Sequence, residues 1–337
     1  MASDAARTTG RTERLTRFQR DGLTFDVTDS GPLDGPVVVL LHGFPTDRSS
    51  WDRISPLLHA AGLRTLAPDQ RGYSPGAQPQ GRAAYRLGEV ADDVVALADA
   101  VGADAVHVVG HDWGGAIAWI VAGRHPERVA SLTALTTPHP FAMTEALRSR
   151  DFDQARRSWH MLAFQVPVIP DRYLASRLAA VLRPSGLPAE DATRYAARFS
   201  EPGALTATLN WYRAIPLSSG VVHSCRVPTT YVWGRKDPFL GPVAARLTAH
   251  SVLADYELVE LDEGHWLPER APQACARAII ARVASVDCPT ALGFPPKSSH
   301  SPALSGSPSP RCPKILTLAG TFWLPEPSLP QDPHTRR

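Results

Sequence analysis

The chain of 337 residues contains no long uninterrupted apolar run. A helix needs about twenty such residues to span a bilayer, so a membrane-embedded protein is not expected. Charge of one sign is also lacking: 35 basic and 33 acidic side chains are interspersed and leave a formal net charge of +2. That balance gives no field able to recruit nucleic acid or an anionic membrane, and neither is expected as a partner. A small neutral substrate is expected instead. Cysteine is scarce. Cys225, Cys275, Cys288 and Cys312 lack the paired spacing of metal ligands and are read as free thiols, so no metal and no cofactor is expected. Residues 1–20 carry five arginines and no apolar core of a secretory leader, which points to cytoplasmic residence. No internal repeat is visible, and nothing in the sequence assigns an oligomeric state.

What is present is the composition of an ordinary globular protein, 43% hydrophobic and 20% charged, with length enough for one large core and an inserted subdomain. Alternating segments at 15–20 and 23–29 precede the continuous apolar run Val37–Leu41, which suits a strand buried on both faces. Strands at 65–68, 105–109 and 129–135 then alternate with helical periods at 87–101 and 114–125. That alternation predicts an α/β protein with a doubly wound, mostly parallel sheet. From 138 to 225 the period is helical, broken by prolines, and reads as an inserted helical cap between a first half of the core, 1–137, and a second, 226–286. Strands at 229–233 and 256–261 and a helix from Pro272 to Val286 complete the second half. The Pro- and Ser-rich stretch 287–337 is not expected to build a core, and its deletion is expected to leave activity intact.

The most informative segment is Gly110-His111-Asp112-Trp113-Gly114-Gly115, between a buried strand and a helix. Small residues flank a central reactive side chain, the spacing of a sharp strand-to-helix turn that exposes a nucleophile. The central residue is not serine but aspartate. A carboxylate attacking an ordinary ester would give a labile anhydride, so Asp112 suits displacement at a saturated carbon bearing a leaving group. The resulting alkyl ester would be cleaved by water, and a histidine base would act on that water. The competing reading is that Asp112 only caps the following helix.

His265, in Gly264-His265-Trp266 just past the last strand, is placed to be the base, since a loop there reaches over the carboxyl edge of the sheet. Asp237, after the strand ending at Trp233, is the best acid to orient its imidazole; Asp262 and Glu263 are rivals that sit close to His265 in sequence. His42-Gly43-Phe44-Pro45 follows the third strand and is placed to offer the Phe44 N–H to a developing oxyanion, with the Trp113 N–H as second donor. Trp159, Phe164 and Trp211 are expected to bind the substrate, and Met161, Val166 and Val168 add to an apolar lining.

Together with Asp69-Gln70-Arg71-Gly72-Tyr73, these segments resemble the epoxide hydrolase branch of the α/β-hydrolase superfamily over about residues 15–286. The resemblance implies epoxide opening to a vicinal diol through a covalent aspartyl ester, without a cofactor. It also implies that Tyr212, in Leu209-Asn210-Trp211-Tyr212-Arg213, polarises and protonates the epoxide oxygen. A phenol suits that task because it stays protonated at neutral pH. The family usually carries a second cap tyrosine before a Phe-Gln pair; here Ala163 precedes Phe164-Gln165, and His160 is the nearest alternative donor. Haloalkane dehalogenation is the alternative with the same nucleophile, although dehalogenases generally carry a second halide donor where this chain has Phe44. A non-catalytic ligand-binding protein on the same fold is the third reading.

Overall fold

The computed structural model describes residues 13–150, 152–201, 203–218 and 222–287; the Pro/Ser-rich stretch beyond 287, with Cys288 and Cys312, lies outside them. The apolar runs build one sheet from β1 (Arg17–Arg20), β2 (Leu23–Ser30), β3 (Val37–Leu41), β4 (Arg64–Pro68), β5 (Val106–His111), β6 (Val129–Leu135), β7 (Thr229–Gly234) and β8 (Tyr256–Leu261). Their spatial order is β1-β2-β4-β3-β5-β6-β7-β8, antiparallel across β1, β2 and β4 and parallel from β4 onward. The strands β3 to β7 are almost wholly buried, as continuous apolar runs require, whereas the edge strand β8 alternates between half-buried and exposed positions.

Helices cover both faces. The first half carries α1 (Ser55–Ala60), α2 (Leu87–Ala100) and α3 (Trp113–Arg124). Between β6 and β7 the described residues hold α4 (Pro140–Leu147), α5 (Asp153–Arg157), α6 (Trp159–Ala163), α7 (Ile169–Leu182), α8 (Ala189–Ala197) and α9 (Ala204–Ala214), and no strand of the sheet. The second half adds α10 (Pro242–Leu247), α11 (Leu267–Arg270) and α12 (Pro272–Asp287). On α2, Val90, Val94 and Leu97 recur at helical spacing and face the sheet. α2, α3 and much of the insertion enclose one apolar core, and α1 and α12 enclose the other. The six-residue helices α1 and α10 are too short for a periodicity of their own and are not announced by the sequence.

The chain passes from β3 to β4 on one side of β3 and returns to β5 on the other, so the strand order reverses between β3 and β5. In open parallel sheets a crevice forms at the carboxyl ends of such strands. Gly110 of β5 pairs with Leu41 of β3, which brings the turns following both strands together. The loops after β7 and β8 emerge at the same edge.

Candidate active site

β5 ends at His111 and α3 begins at Trp113, leaving Asp112 alone at the turn with φ +53° and ψ −121°. Side-chain-bearing residues rarely occupy that region, and such strain persists only where the surroundings impose it. The flanking glycines make the turn possible. A Cβ on Gly110 would collide with the backbone of Gly114, and one on Gly114 would collide with the Leu41 carbonyl. A Cβ on Gly43 would strike the Asp112 side chain itself. With the side chain outside helical register, Asp112 makes no capping bond to α3.

Its two oxygens lie in different environments. Oδ1 accepts a hydrogen bond from the Phe44 N–H at 2.8 Å, and the Trp113 N–H is a second amide donor to the carboxyl. Oδ2 lies 3.4 Å from His265 Nε2. The other imidazole nitrogen, Nδ1, is 2.8 Å from Asp237 Oδ2. The second oxygen of Asp237 accepts from the N–H groups of Phe239 at 2.7 Å and Leu240 at 3.0 Å, so both faces of this buried carboxylate are satisfied. Asp262 instead points to solvent and pairs with Lys236 at 2.7 Å. The side chain of Asp112 keeps 21% of its surface open, against 3% for His265 and none for Asp237, so Asp112 is the accessible member of the row.

The charges of this row are interlocked. Burial alone would raise the Asp112 carboxyl, but the hydrogen bond and charge of His265 outweigh it and hold the group below the ordinary carboxylate range. Burial would likewise lower His265; the charge of Asp237 and the hydrogen bonds to both carboxylates instead push it up to about 10. At neutral pH an imidazolium thus stands beside the Asp112 carboxylate. If Asp112 becomes an ester, one of the two anions holding the imidazolium disappears. That change lowers the hold of the site on the His265 proton, while the Asp237 charge stays in place.

Residues that the sequence did not single out hold this row in place. His111 lies against the His265 ring, 5.0 Å between centroids, and its Nε2 donates to the His265 carbonyl at 2.9 Å. Burial holds His111 down at about 4, so it is neutral at physiological pH and able to act as that donor. Gln70 donates through its side-chain amide to the His42 carbonyl, and its N–H donates to His42 Nε2 at 3.2 Å, which anchors the turn that offers Phe44. Arg71 forms a forked pair with Asp93 of α2, with bonds of 2.8 and 2.7 Å, and secures the loop after β4. Gln70 and Arg71 stood in a segment that carried the resemblance and His111 stood beside Asp112, but none was given a role; the contacts themselves join segments far apart in sequence.

Above the carboxylate stands a group of aromatic side chains. Tyr212 of α9 is buried edge-on against Trp113 at 4.9 Å, Phe44 at 5.5 Å and Phe164 at 4.9 Å. Burial and the Asp112 charge push its phenol well above the usual value, while the Trp113 indole provides a hydrogen bond. Gln165 donates to the Tyr212 carbonyl at 2.7 Å and ties α9 to the end of α6. His160 lies against Phe164 at 5.8 Å, Tyr212 at 6.2 Å and Phe239 at 5.5 Å, and burial keeps it low enough to be neutral.

Asp112, His265, Asp237, Phe44, Trp113, Tyr212 and Phe164 are therefore brought together, but two expected substrate residues are placed otherwise. Trp159 turns outward and is 67% exposed, because α6 directs Phe164 inward and Trp159 to the opposite side. Val166 and Val168 are exposed as well. Trp211 is buried behind Trp113, with ring centroids 5.8 Å apart, and its indole N–H donates to the Arg71 carbonyl at 2.7 Å; it supports the wall from behind. Cys225 and Cys275 are buried free thiols away from this row. Among the described residues no cluster of His, Cys, Asp and Glu is arranged to hold a metal, and no helix is long and apolar enough to cross a membrane.

Comparison with known proteins agrees with this geometry. Residues 36–272 match the family model described as alpha/beta hydrolase fold. The chain is 36% identical to the AB hydrolase superfamily protein YfhM of Bacillus subtilis, over 77% of this chain and 94% of that protein. It is 32% identical to Epoxide hydrolase A of Mycobacterium tuberculosis, over 80% of this chain and 96% of that protein. The solved structure of Epoxide Hydrolase A from Mycobacterium thermoresistibile superposes with a TM-score of 0.70 at 27% identity, covering 80% of this chain and 98% of that one. With an aspartate at the strained strand-to-helix turn, a parallel sheet that carries it and relatives of this kind, the chain belongs to the α/β hydrolase fold family, in its epoxide hydrolase-like branch.

Proposed function

We propose that the protein hydrolyses apolar epoxides to vicinal diols through a covalent ester on Asp112. The observation that carries this reading is the split environment of the Asp112 carboxylate, with Oδ1 on amide donors and Oδ2 beside the imidazole under the Tyr212 phenol. Oδ2 attacks an epoxide carbon, the carbon–oxygen bond breaks, and Tyr212 gives its proton to the departing alkoxide. Esterification removes the Asp112 charge, His265 gives up its proton, and that proton restores the phenol. Neutral His265, oriented by Asp237, then takes a proton from water as the hydroxide attacks the ester carbonyl. The oxyanion develops on Oδ1, where the Phe44 and Trp113 N–H groups already point; its collapse breaks the bond from the carboxyl carbon to Oδ2, and the diol leaves with Oδ2 and the proton that His265 took from water.

The insertion, taken over 138–225, acts as the cap of this site, since it supplies Tyr212 and Phe164. Dehalogenation is less well supported, because the Trp113 indole is turned to Tyr212 and Phe44 offers no side-chain donor to a halide. A purely ligand-holding role leaves the charged row without a use. A single turnover with enzyme in excess over a styrene-type epoxide, run in heavy-oxygen water, tests the mechanism. The first diol formed is expected to carry ordinary oxygen from Asp112 while the label enters the Asp112 carboxyl. Label in that first product, with none in Asp112, would mean that water attacks the epoxide directly.

A further inference from the structure

Within residues 152–183 the helical insertion presents to solvent side chains that a folded chain ordinarily buries. Phe152, Trp159, Leu162 and Ile169 are 68, 67, 76 and 70% exposed. On α7 the pattern is two-sided: Pro170, Leu174, Leu178 and Leu182 recur every fourth residue and are buried, while Ile169, Tyr173 and Val181 form an adjacent exposed stripe. Exposed apolar side chains concentrated in one stretch of chain in this way mark a binding face.

The face is held rigidly. Arg213, nearly buried, donates to the carbonyls of Phe164 and Val166, each at 3.1 Å, and pairs with Asp171 at the start of α7. Val168 is held at φ +70°, a conformation that a β-branched side chain adopts only under constraint. The backbone from Phe164 to the start of α7 is thus tied to Arg213 of α9.

Charge selects the partner. Residues 152–183 contain five arginines and two aspartates. Both aspartates are engaged, Asp153 with Arg156 and Arg157, and Asp171 with Arg213. Arg172 and Arg183 are exposed with no ion pair among the described residues, and Arg177 lies over the Tyr173 ring at 5.1 Å. Aromatic and aliphatic side chains rimmed by unneutralised guanidinium groups match the headgroup boundary of an anionic bilayer, where the apolar tips enter and the arginines meet phosphates. A second copy fits this face less well. Two-fold contact would lay the patch on itself, arginine against arginine, with both aspartates of residues 152–183 already paired. We infer that this face docks the protein peripherally on an anionic lipid surface. The near-neutral charge of the whole chain conceals it, because that average includes every other surface. If the proposed reaction holds, docking also sets the site beside the phase in which apolar epoxides accumulate; the docking itself does not rest on that reaction.

Flotation of the full-length protein tests the inference, with vesicles of phosphatidylcholine alone and of phosphatidylcholine mixed with phosphatidylglycerol, at low and high salt. Binding is expected to the phosphatidylglycerol vesicles, to weaken with salt, and to fall about tenfold or more in Arg172→Gln/Arg183→Gln. Leu162→Asp/Ile169→Asp is expected to abolish it, with the thermal midpoint unchanged to show that the fold persists. Absence of flotation, equal binding to both vesicle types, or binding retained by these folded variants would each overturn the inference. A dimer seen by sedimentation that Leu162→Asp/Ile169→Asp dissolves, without vesicle binding, would assign the face to a second copy instead.

Discussion

An imidazole held between two carboxylates keeps its proton until one of them is neutralised. In the proposed reaction the neutralising event is the alkylation of Asp112, and the order of the two chemical steps then follows from the charges around His265. His265→Gln is therefore expected to leave ester formation possible and to block ester hydrolysis. Intact-protein mass spectrometry after addition of an epoxide should show a stable adduct on Asp112, with diol release reduced by about a thousandfold or more. Absence of an adduct in a folded variant would count against a covalent route. At this scale much was legible: Asp112, Asp237 and His265 were picked out by residue type and by their places after the strands, and the structure brings the three side chains together. His111 and Gln70 were not legible, because their parts consist of hydrogen bonds to carbonyls of other segments.

Among the elements, the turn between β5 and α3 is the tightest. Its glycines are required by backbone rather than side-chain neighbours, and backbone cannot rotate away from an added methyl group. Gly114→Ala would drive its Cβ into the Leu41 carbonyl, so a loss of about 3 kcal/mol or more is expected in urea unfolding, together with loss of turnover. An effect below about 1 kcal/mol would show that β3 and α3 can separate at little cost. The short helix α6 illustrates the opposite limit. Its apolar content suggested a pocket lining at Trp159 as well as Phe164, yet five residues of helix give too few turns to show which face is buried. The decision came from Gln165 and Arg213, which fix the end of α6 against α9 and thereby turn Phe164 inward and Trp159 outward.

For the whole molecule, the insertion and the sheet are joined through buried polar contacts close to the site. Tyr195 of α8 donates to Glu269 of α11 at 2.7 Å, and Arg53 pairs with Asp191 at 2.9 Å. Burial, with the nearby Asp191, pushes the Glu269 carboxyl up to about 7 despite the Tyr195 bond. A carboxyl raised in the folded state stays protonated there while the unfolded chain has ionised, so this group's stabilisation is complete below about pH 4.5 and is lost as pH rises to about 7. Glu269→Gln, which keeps an acceptor for Tyr195 and cannot ionise, is expected to flatten that loss. The variant should gain at most about 3 kcal/mol relative to wild type between acidic and mildly alkaline pH in urea unfolding. An unchanged pH slope would indicate that Glu269 ionises normally. The sequence by itself determined the strand and helix alternation, the break into an α-helical insertion and the aspartate at the strand-to-helix turn, because each rests on local periodicity or on the residue type at one position. Tertiary structure alone decided the protonation of His265 and Glu269, the inward turn of Phe164 and the exposed arginine-rimmed face. Those properties depend on burial and on the distances between charges and donors from separate segments, and chain-local patterns carry no information about either.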